Sequence, residues 1–94
     1  MKAPLKVSVI TATYNRDATI VRALSSIKSQ TYTGIQIVVV DGASQDNTVS
    51  LVSPMLGDND ILQSEPDQGI YDALNKGLAL AEGEIIAFLH SDDV

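Results

Sequence analysis

Two adjacent carboxylates near the end of the sequence, Asp92 and Asp93, are the residues whose type and spacing most directly suggest chemistry. Neighbouring carboxylates repel each other unless a cation or hydrogen-bond donors compensate their charge. Hard divalent cations prefer oxygen ligands of this kind. The pair therefore predicts a metal site. Ser91-Asp92-Asp93 is also ordinary turn composition, so the tripeptide alone leaves a solvated turn open as the alternative.

The residues before this pair predict how it is presented. A short apolar run without charge, residues 85–89, has the composition of a strand buried on both faces. Residues that follow such a strand lie at its carboxyl end, so Asp92 and Asp93 are expected on the rim of a sheet. His90 lies beside them, but adjacent residues at a strand end point in different directions. A partly buried, hydrogen-bonded histidine is therefore the preferred interpretation of His90.

Three further strands and three helices are predicted upstream of this run. β-Branched and apolar runs predict strands at residues 6–12, 35–40 and 61–64. Apolar residues at helical spacing predict a first helix from residue 18 to about residue 29 and a third helix over residues 70–81. A shorter second helix is expected to become irregular at Pro54. The predicted caps are Asp17 for the first helix, Ser44 or Asp46 for the second, and Gly83 as a left-handed C-terminal cap of the third.

The order βαβαβαβ with short connections predicts an α/β domain with three layers, α/β/α, around a mainly parallel four-stranded sheet. In open sheets of this kind, ligands bind outside the carboxyl ends of the strands, near the point where strand order reverses. The polar residues expected at that edge are residues 13–16, Asp41 with Gly42, residues 65–67 and residues 91–93. Their convergence favours a ligand site over four unrelated turns.

Composition limits the function further. The 94 residues predict one domain, without cysteine and without an apolar stretch long enough to cross a bilayer. Twelve acidic residues against six basic ones give a net charge of −6, which argues against a nucleic-acid surface. An anionic ligand would need local neutralisation, which a bound divalent cation would provide. The expected location is the cytoplasm.

Four motifs, in order, resemble the N-terminal half of the family 2 glycosyltransferases, which have a GT-A fold. They are VSVITATYNR at the first strand, IVVVDGASQDNT at the second, DQGIYDALNKG at the third helix, and AEGE with FLHSDD at the end. The family's Asp-x-Asp metal motif takes the form Ser-Asp-Asp here. The resemblance implies that residues 1–94 are the nucleotide-sugar-binding half of an inverting glycosyltransferase of polysaccharide biosynthesis, which transfers a hexose-type sugar to an acceptor hydroxyl.

The resemblance also implies roles for individual residues. Those implied at the donor nucleotide are Thr13, Tyr14, Asp41, Gly42 and Asp92. Thr13 and Tyr14 would flank the base, Asp41 would accept a hydrogen bond from it, and Asp92 would lie near the ribose. Asp93 would coordinate Mg²⁺ or Mn²⁺ at the diphosphate and so stabilise the leaving group. The expected donor is a UDP-sugar.

The family's catalytic base and acceptor-binding elements follow the metal motif, whereas this sequence ends one residue after it, at Val94. No catalytic residue is therefore assigned, and we expect a donor-binding fragment that does not transfer sugar by itself. In a full-length protein, such a domain is also compatible with a position at the inner face of a membrane.

Other interpretations stay open at this stage. A non-catalytic nucleotide-binding or assembly module of the same fold is the main alternative. A phosphoacceptor receiver domain would need an acidic pair where the chain has Thr13-Tyr14-Asn15, and a dinucleotide-binding oxidoreductase would need Gly-x-Gly-x-x-Gly after the first strand. The sequence has neither motif, so both classes are disfavoured.

Single residues at the predicted edge also have alternative interpretations. Asp41 could cap a turn, and Tyr14 could be a packing residue. Glu65 and Asp67 could be plain loop residues or donor contacts, whereas Arg16 and Lys76 are interpreted as solvated or paired.

The resemblance predicts self-association. By analogy with the family, the strand at residues 85–89 would be covered on its far side by segments that follow the metal motif. An apolar strand with an open edge tends to pair with another chain. We therefore expect a dimer or larger homo-oligomer by light scattering, and a clean monomer at high protein concentration would contradict this.

Overall fold

The computed structural model describes residues 5–29 and 34–89, and in this part of the chain strands and helices alternate. The elements are β1 (Val7–Thr13), α1 (Ile20–Lys28), β2 (Ile35–Asp41), α2 (Thr48–Val52) with a 3-10 helix (Ser53–Met55), β3 (Ile61–Ser64), α3 (Ile70–Leu80) and β4 (Ile85–Phe88). The predicted βαβαβαβ order is confirmed, as is the irregular end of the second helix, since Pro54 lies in the 3-10 helix.

The four strands form one parallel sheet in the order β3-β2-β1-β4. The chain moves outward from β1 to β3 and then returns to the other side of β1, so strand order reverses between β1 and β4. The register pairs Thr13 with Asp41, and Asp41 with Ser64. The last residues of β1, β2 and β3 therefore form a row along the carboxyl edge of the sheet.

Helices cover both faces of the sheet, which confirms the predicted α/β/α layers. On one face, a cluster joins α1 and α2 to β2, and its buried members are Ile20, Leu24, Ile27, Ile37, Val39 and Val52. On the other face, α3 packs on β1 and β2, and the buried members are Ile10, Val38, Val40 and Ala73. β2 is buried on both faces because it lies between two strands and two helical layers. Such burial supplies most of the free energy that holds the layers together.

Strand β4 departs from the prediction that it is buried on both faces. Ile85 and Phe88 are 44% and 54% exposed, and among the described residues β4 pairs only with β1. An apolar run predicts a strand, but burial depends on neighbouring elements that the run itself does not reveal. The association expected through this edge stays a prediction.

The predicted helix caps are also wrong in detail. α1 begins at Ile20, preceded by Thr19 rather than Asp17, and α2 is preceded by Asn47 rather than Ser44 or Asp46. Neither Thr19 nor Asn47 makes a side-chain cap hydrogen bond. The side chains of Asp17 and Ser44 accept backbone N–H groups of neighbouring loops instead. Asp46 precedes the cap position, but its Oδ1 accepts the N–H of Thr48, the first residue of α2, at 2.9 Å.

Gly83 is not the left-handed cap predicted for α3. The helix ends at Leu80, and Ala81 already has extended backbone angles (φ −66°, ψ 137°). Gly83 instead allows a close backbone approach, since a Cβ there would lie 2.6 Å from the Ser8 nitrogen and 2.8 Å from the Lys6 oxygen. Its N–H donates to the buried Ser8 hydroxyl at 2.8 Å. This contact holds the segment between α3 and β4 against β1, and so fixes where β4 begins to pair with β1.

A side chain at residue 83 should therefore destabilise the protein. We expect Gly83→Ala to lower the free energy of unfolding by about 1–3 kcal/mol, because backbone atoms cannot move aside as a flexible side chain can. Gly57→Ala is the control, since the nearest atom to its new Cβ is 3.8 Å away. Urea denaturation of the two variants measures the difference, and equal unfolding free energies would contradict the role of Gly83.

Candidate functional site

The carboxylate of Asp41, the last residue of β2, is the centre of the carboxyl edge. Asp41 is fully buried. Its Oδ2 accepts hydrogen bonds from the Ser44 backbone N–H and the Ser64 hydroxyl, both at 2.8 Å, and its Oδ1 accepts one from the Ser44 hydroxyl at 2.5 Å. A buried carboxylate without such donors would be costly. These bonds connect the loop after β2 to the end of β3.

The loop after β1 and the loop after β2 are tied to each other by backbone-to-side-chain hydrogen bonds. The Asn15 N–H donates to the Ser44 hydroxyl oxygen at 2.8 Å, and the Gln45 N–H donates to Asn15 Oδ1 at 2.8 Å. The Arg16 N–H donates to Thr48 Oγ1 at 2.9 Å. Asn15 has a left-handed backbone (φ 52°), which asparagine tolerates better than most residues. The two loops therefore form one unit.

Asp17 and Asp46 extend this unit. The Asp17 N–H donates to Asp46 Oδ2 at 3.1 Å, and the Asn47 N–H donates to Asp17 Oδ2 at 3.3 Å. Desolvation tends to raise the pKa of Asp46, but hydrogen bonds from Thr48 and Asp17 outweigh it and hold the pKa below its ordinary value. These two carboxylates are used to order the loops.

Thr13 and Tyr14 bring a hydroxyl and an aromatic ring to the same edge. Thr13 Oγ1 is buried and has no hydrogen-bond partner among the described residues. Buried polar atoms are seldom left unpaired, and a bound ligand is one way to satisfy them. Tyr14 follows and is 52% exposed, so its ring is available to a flat ligand. A half-buried packing residue would have a similar exposure, so ligand contact by Tyr14 stays a prediction.

Gly42 lets the loop after β3 approach the centre of this edge. Its N–H donates to the Thr13 carbonyl at 2.9 Å, and a Cβ on it would lie 2.8 Å from Asp67 Oδ2. The Glu65 N–H donates to the Asp41 carbonyl at 2.9 Å, and Asp67 Oδ1 accepts from the Gly69 N–H at 3.1 Å. The Asp67 carboxylate therefore lies beside the ends of β1 and β2.

The structure thus brings together four of the residues predicted at the edge, Thr13, Asp41, Gly42 and Asp67. Arg16 and Lys76 are paired, as interpreted from sequence. Arg16 Nη1 donates to the Asn15 carbonyl at 3.3 Å. Lys76 forms ion pairs with Asp72 on α3 and with Glu65 in the loop before it. The predicted ligands Asp92 and Asp93 lie outside the described residues, together with His90 and Ser91.

Sequence reasoning missed Ser44 and Ser64 as partners of Asp41. The Asp41-x-x-Ser44 spacing is typical of a turn in which an aspartate side chain accepts backbone hydrogen bonds, so Ser44 could have been found. Ser64 could not, because its contact depends on the register between β2 and β3.

In residues 5–29 and 34–89, no group of three His, Cys, Asp or Glu side chains comes together to hold a metal ion. Asp67 supplies at this edge an oxygen ligand of the type that hard cations prefer. β4 runs parallel to β1, so the chain leaves it in the direction of the same edge.

The sheet, with its reversal between β1 and β4 and its polar carboxyl edge, defines a doubly wound α/β domain. In this class of fold, ligands bind outside the carboxyl ends of the strands. A sequence model described as glycosyl transferase family 2 matches residues 8–94. The chain belongs to that family. Among its curated relatives is a PGL/p-HBAD biosynthesis glycosyltransferase of Mycobacterium bovis (strain BCG / Pasteur 1173P2). The two are 41% identical over an alignment 96 positions long, which covers 99% of this chain and 37% of the relative.

Solved structures of glycosyltransferases have the same fold. S. aureus TarS in complex with UDP-GlcNAc superposes with a TM-score of 0.85 at 34% identity, over 94% of this chain and 27% of that one. The mannosyltransferase PcManGT from Pyrobaculum calidifontis, in complex with GDP-Man and Mn²⁺, gives 0.85 at 35% identity, over 96% and 28%. The predicted GT-A fold is confirmed.

The chain spans about a third of the length of the curated relatives it matches. No helix in its described part is long and apolar enough to cross a membrane.

The hydrogen bonds at Asp41 predict a specific stability effect. We expect Ser44→Ala to lower the free energy of unfolding by about 1–3 kcal/mol, because it removes a donor to a buried carboxylate and the acceptor of the Asn15 N–H. Ser50→Ala is the matched control, since the Ser50 hydroxyl donates only to the Asn47 carbonyl on the exposed side of α2. Urea unfolding of both variants tests this, and an equal loss in the two would contradict the role of Ser44.

Proposed function

We propose that this chain forms the donor site of an inverting glycosyltransferase and binds a nucleotide-diphosphate sugar, a UDP-sugar, at the carboxyl edge of its sheet. The observation that carries the proposal is that Thr13, Asp41, Gly42 and Asp67 meet at the carboxyl edge of the sheet. Thr13 ends β1, the strand that borders the reversal of strand order. Membership of the family supports it, as do the relatives of known structure that hold UDP-GlcNAc or GDP-Man. A cytoplasmic location belongs to the same proposal.

The base is held between Tyr14 and the end of β2. A base stacks on the exposed Tyr14 ring, and the unpaired Thr13 hydroxyl lies beside it. An ionised carboxylate offers about four lone-pair directions, and three hydrogen bonds already reach Asp41. One direction is left at Oδ1, and in this proposal it accepts a base N–H when the bound nucleotide displaces groups that bury Asp41. Uracil presents a single ring N–H between two carbonyls, which matches one free acceptor better than the two adjacent donor groups of guanine.

A divalent cation, Mg²⁺ or Mn²⁺, fits the donor chemistry of this edge. The side chains available there are oxygen donors, and a net charge of −6 leaves a diphosphate in need of neutralisation. In this proposal Asp93 holds the cation, and Asp92 lies near the ribose. When bound, the cation neutralises the diphosphate and makes it a better leaving group. Gly42 lets the Asp67 carboxylate approach the end of β2, and Tyr14 orients the base. No residue of this chain is proposed as the general base or as an acceptor contact.

Calorimetric titration of the whole chain with UDP tests the proposal. We expect binding that strengthens when Mn²⁺ is added and that is stronger than binding of GDP. Asp93→Asn should remove the Mn²⁺ effect, while UDP binding without metal should be unchanged. Failure to bind UDP, or a UDP affinity that is the same with and without Mn²⁺, would contradict the proposed donor site.

The role of Tyr14 can be tested in the same titration. Tyr14→Ala should weaken UDP binding about tenfold, because stacking on an aromatic ring stabilises a bound base. Tyr14→Phe is the matched control, since it keeps the ring and loses only the hydroxyl, and it should bind like the unsubstituted chain. Equal weakening in both variants would mean that the hydroxyl, and not the ring, contacts the ligand.

A further inference from the structure

The β3–α3 loop, residues 65–69, is the part of the carboxyl edge that is held in position by side chains of α3. It brings the Asp67 carboxylate against Gly42, so that a Cβ on Gly42 would lie 2.8 Å from Asp67 Oδ2. Within residues 5–29 and 34–89, only its first residue is tied to the sheet by a backbone hydrogen bond, from the Glu65 N–H to the Asp41 carbonyl. The rest of the loop needs other contacts to hold Asp67 in place.

Lys76, on the second turn of α3, supplies those contacts to the first half of the loop. Its Nζ donates to the Pro66 carbonyl at 3.0 Å and lies 3.1 Å from Glu65 Oε1. The same Nζ lies 3.4 Å from Asp72 Oδ2, and the Lys76 side chain is only 24% exposed. One ammonium group therefore joins two consecutive loop residues to the helix, immediately before Asp67.

Asp72 holds the second half of the loop. Its Oδ2 accepts a hydrogen bond from the Gln68 N–H at 2.9 Å, immediately after Asp67. That backbone hydrogen bond, with Lys76, holds the pKa of Asp72 below its ordinary value. The hydrogen bond with Glu65, with a smaller effect of Asp72, holds the pKa of Lys76 above its ordinary value. Both groups are therefore charged at neutral pH, and the residues on either side of Asp67 are held from the same helix.

We propose that Lys76 is a positioning residue of the donor site, which holds the β3–α3 loop and with it the Asp67 carboxylate at the nucleotide edge. The inference rests on the proposed function, because the consequence of misplacing Asp67 is measured as weaker nucleotide binding. Lys76 itself lies on the helix and need not touch the ligand. Ion pairs that are partly exposed contribute little to global stability, so its main effect is local order.

A double-substitution cycle on the whole chain tests the proposal. We expect Lys76→Met to weaken UDP binding in the presence of Mn²⁺ about tenfold, because it removes a charge-assisted hydrogen bond to the loop. Lys76→Arg should restore most of the affinity. In an Asp67→Asn background, Lys76→Met should cause no further loss, because two residues that act through one group are not additive. Lys28→Met is the matched control: the Lys28 Nζ also donates to a backbone carbonyl, that of Met55, but at the C-terminal end of α1.

Amide hydrogen exchange without ligand separates this inference from the donor-site proposal. Lys76→Met should speed exchange of the Gln68 and Gly69 N–H groups, whereas Lys28→Met should not. If the unsubstituted chain did not bind UDP, the donor site would be wrong, but exchange would still test the loop contact. Unchanged exchange, unchanged UDP affinity of Lys76→Met, or additive losses with Asp67→Asn would each overturn the positioning role.

Discussion

A buried carboxylate surrounded by donors is the interaction on which the carboxyl edge depends. Asp41 would be costly to bury alone, and Ser44 and Ser64 offset that cost by three hydrogen bonds. Because these donors come from a loop and from a neighbouring strand, satisfying the carboxylate also fixes both. Ser44 in turn accepts the Asn15 N–H, so the order extends to the loop after β1. The edge is therefore ordered before any ligand binds, which lowers the entropy cost of binding.

The carboxylates at the carboxyl edge have two different uses in this account, ordering the loops and facing the ligand. The loops use Asp17, Asp41 and Asp46 as acceptors for their own N–H groups, so these carboxylates shape the edge. Asp67 is held beside Gly42 by contacts that come from α3. A nucleotide diphosphate brings further negative charge to an acidic chain, which is why a cation is part of the proposed donor site.

The sequence predicts the order of the strands and helices better than it predicts which residues are buried and which side chains contact each other. The apolar run of residues 35–40 predicts a strand, and the rule for strand ends places Thr13, Asp41 and Asp67 at one edge. Both predictions succeed because the periodicity that marks strands and helices can be recognised within short stretches of sequence. The exposure of Ile85 and Phe88, the contact of Ser64 with Asp41, and the close approach of Gly83 to Ser8 depend on which elements are neighbours. The role of Asp17 also depends on a neighbouring element. Its residue type is typical of a helix cap, but Asp17 forms hydrogen bonds with the loop before α2 instead.

Paramagnetic broadening by Mn²⁺ tests the central claim most directly, namely that the carboxyl edge holds a metal-bound nucleotide. In amide spectra recorded with UDP present, small amounts of Mn²⁺ should broaden the signals of Tyr14, Gly42 and Asp67. The signals of Gly57 and Gly83, at the opposite edge of the sheet, should stay sharp. Broadening centred on Gly57 or Gly83, or broadening that is the same with and without UDP, would contradict the account.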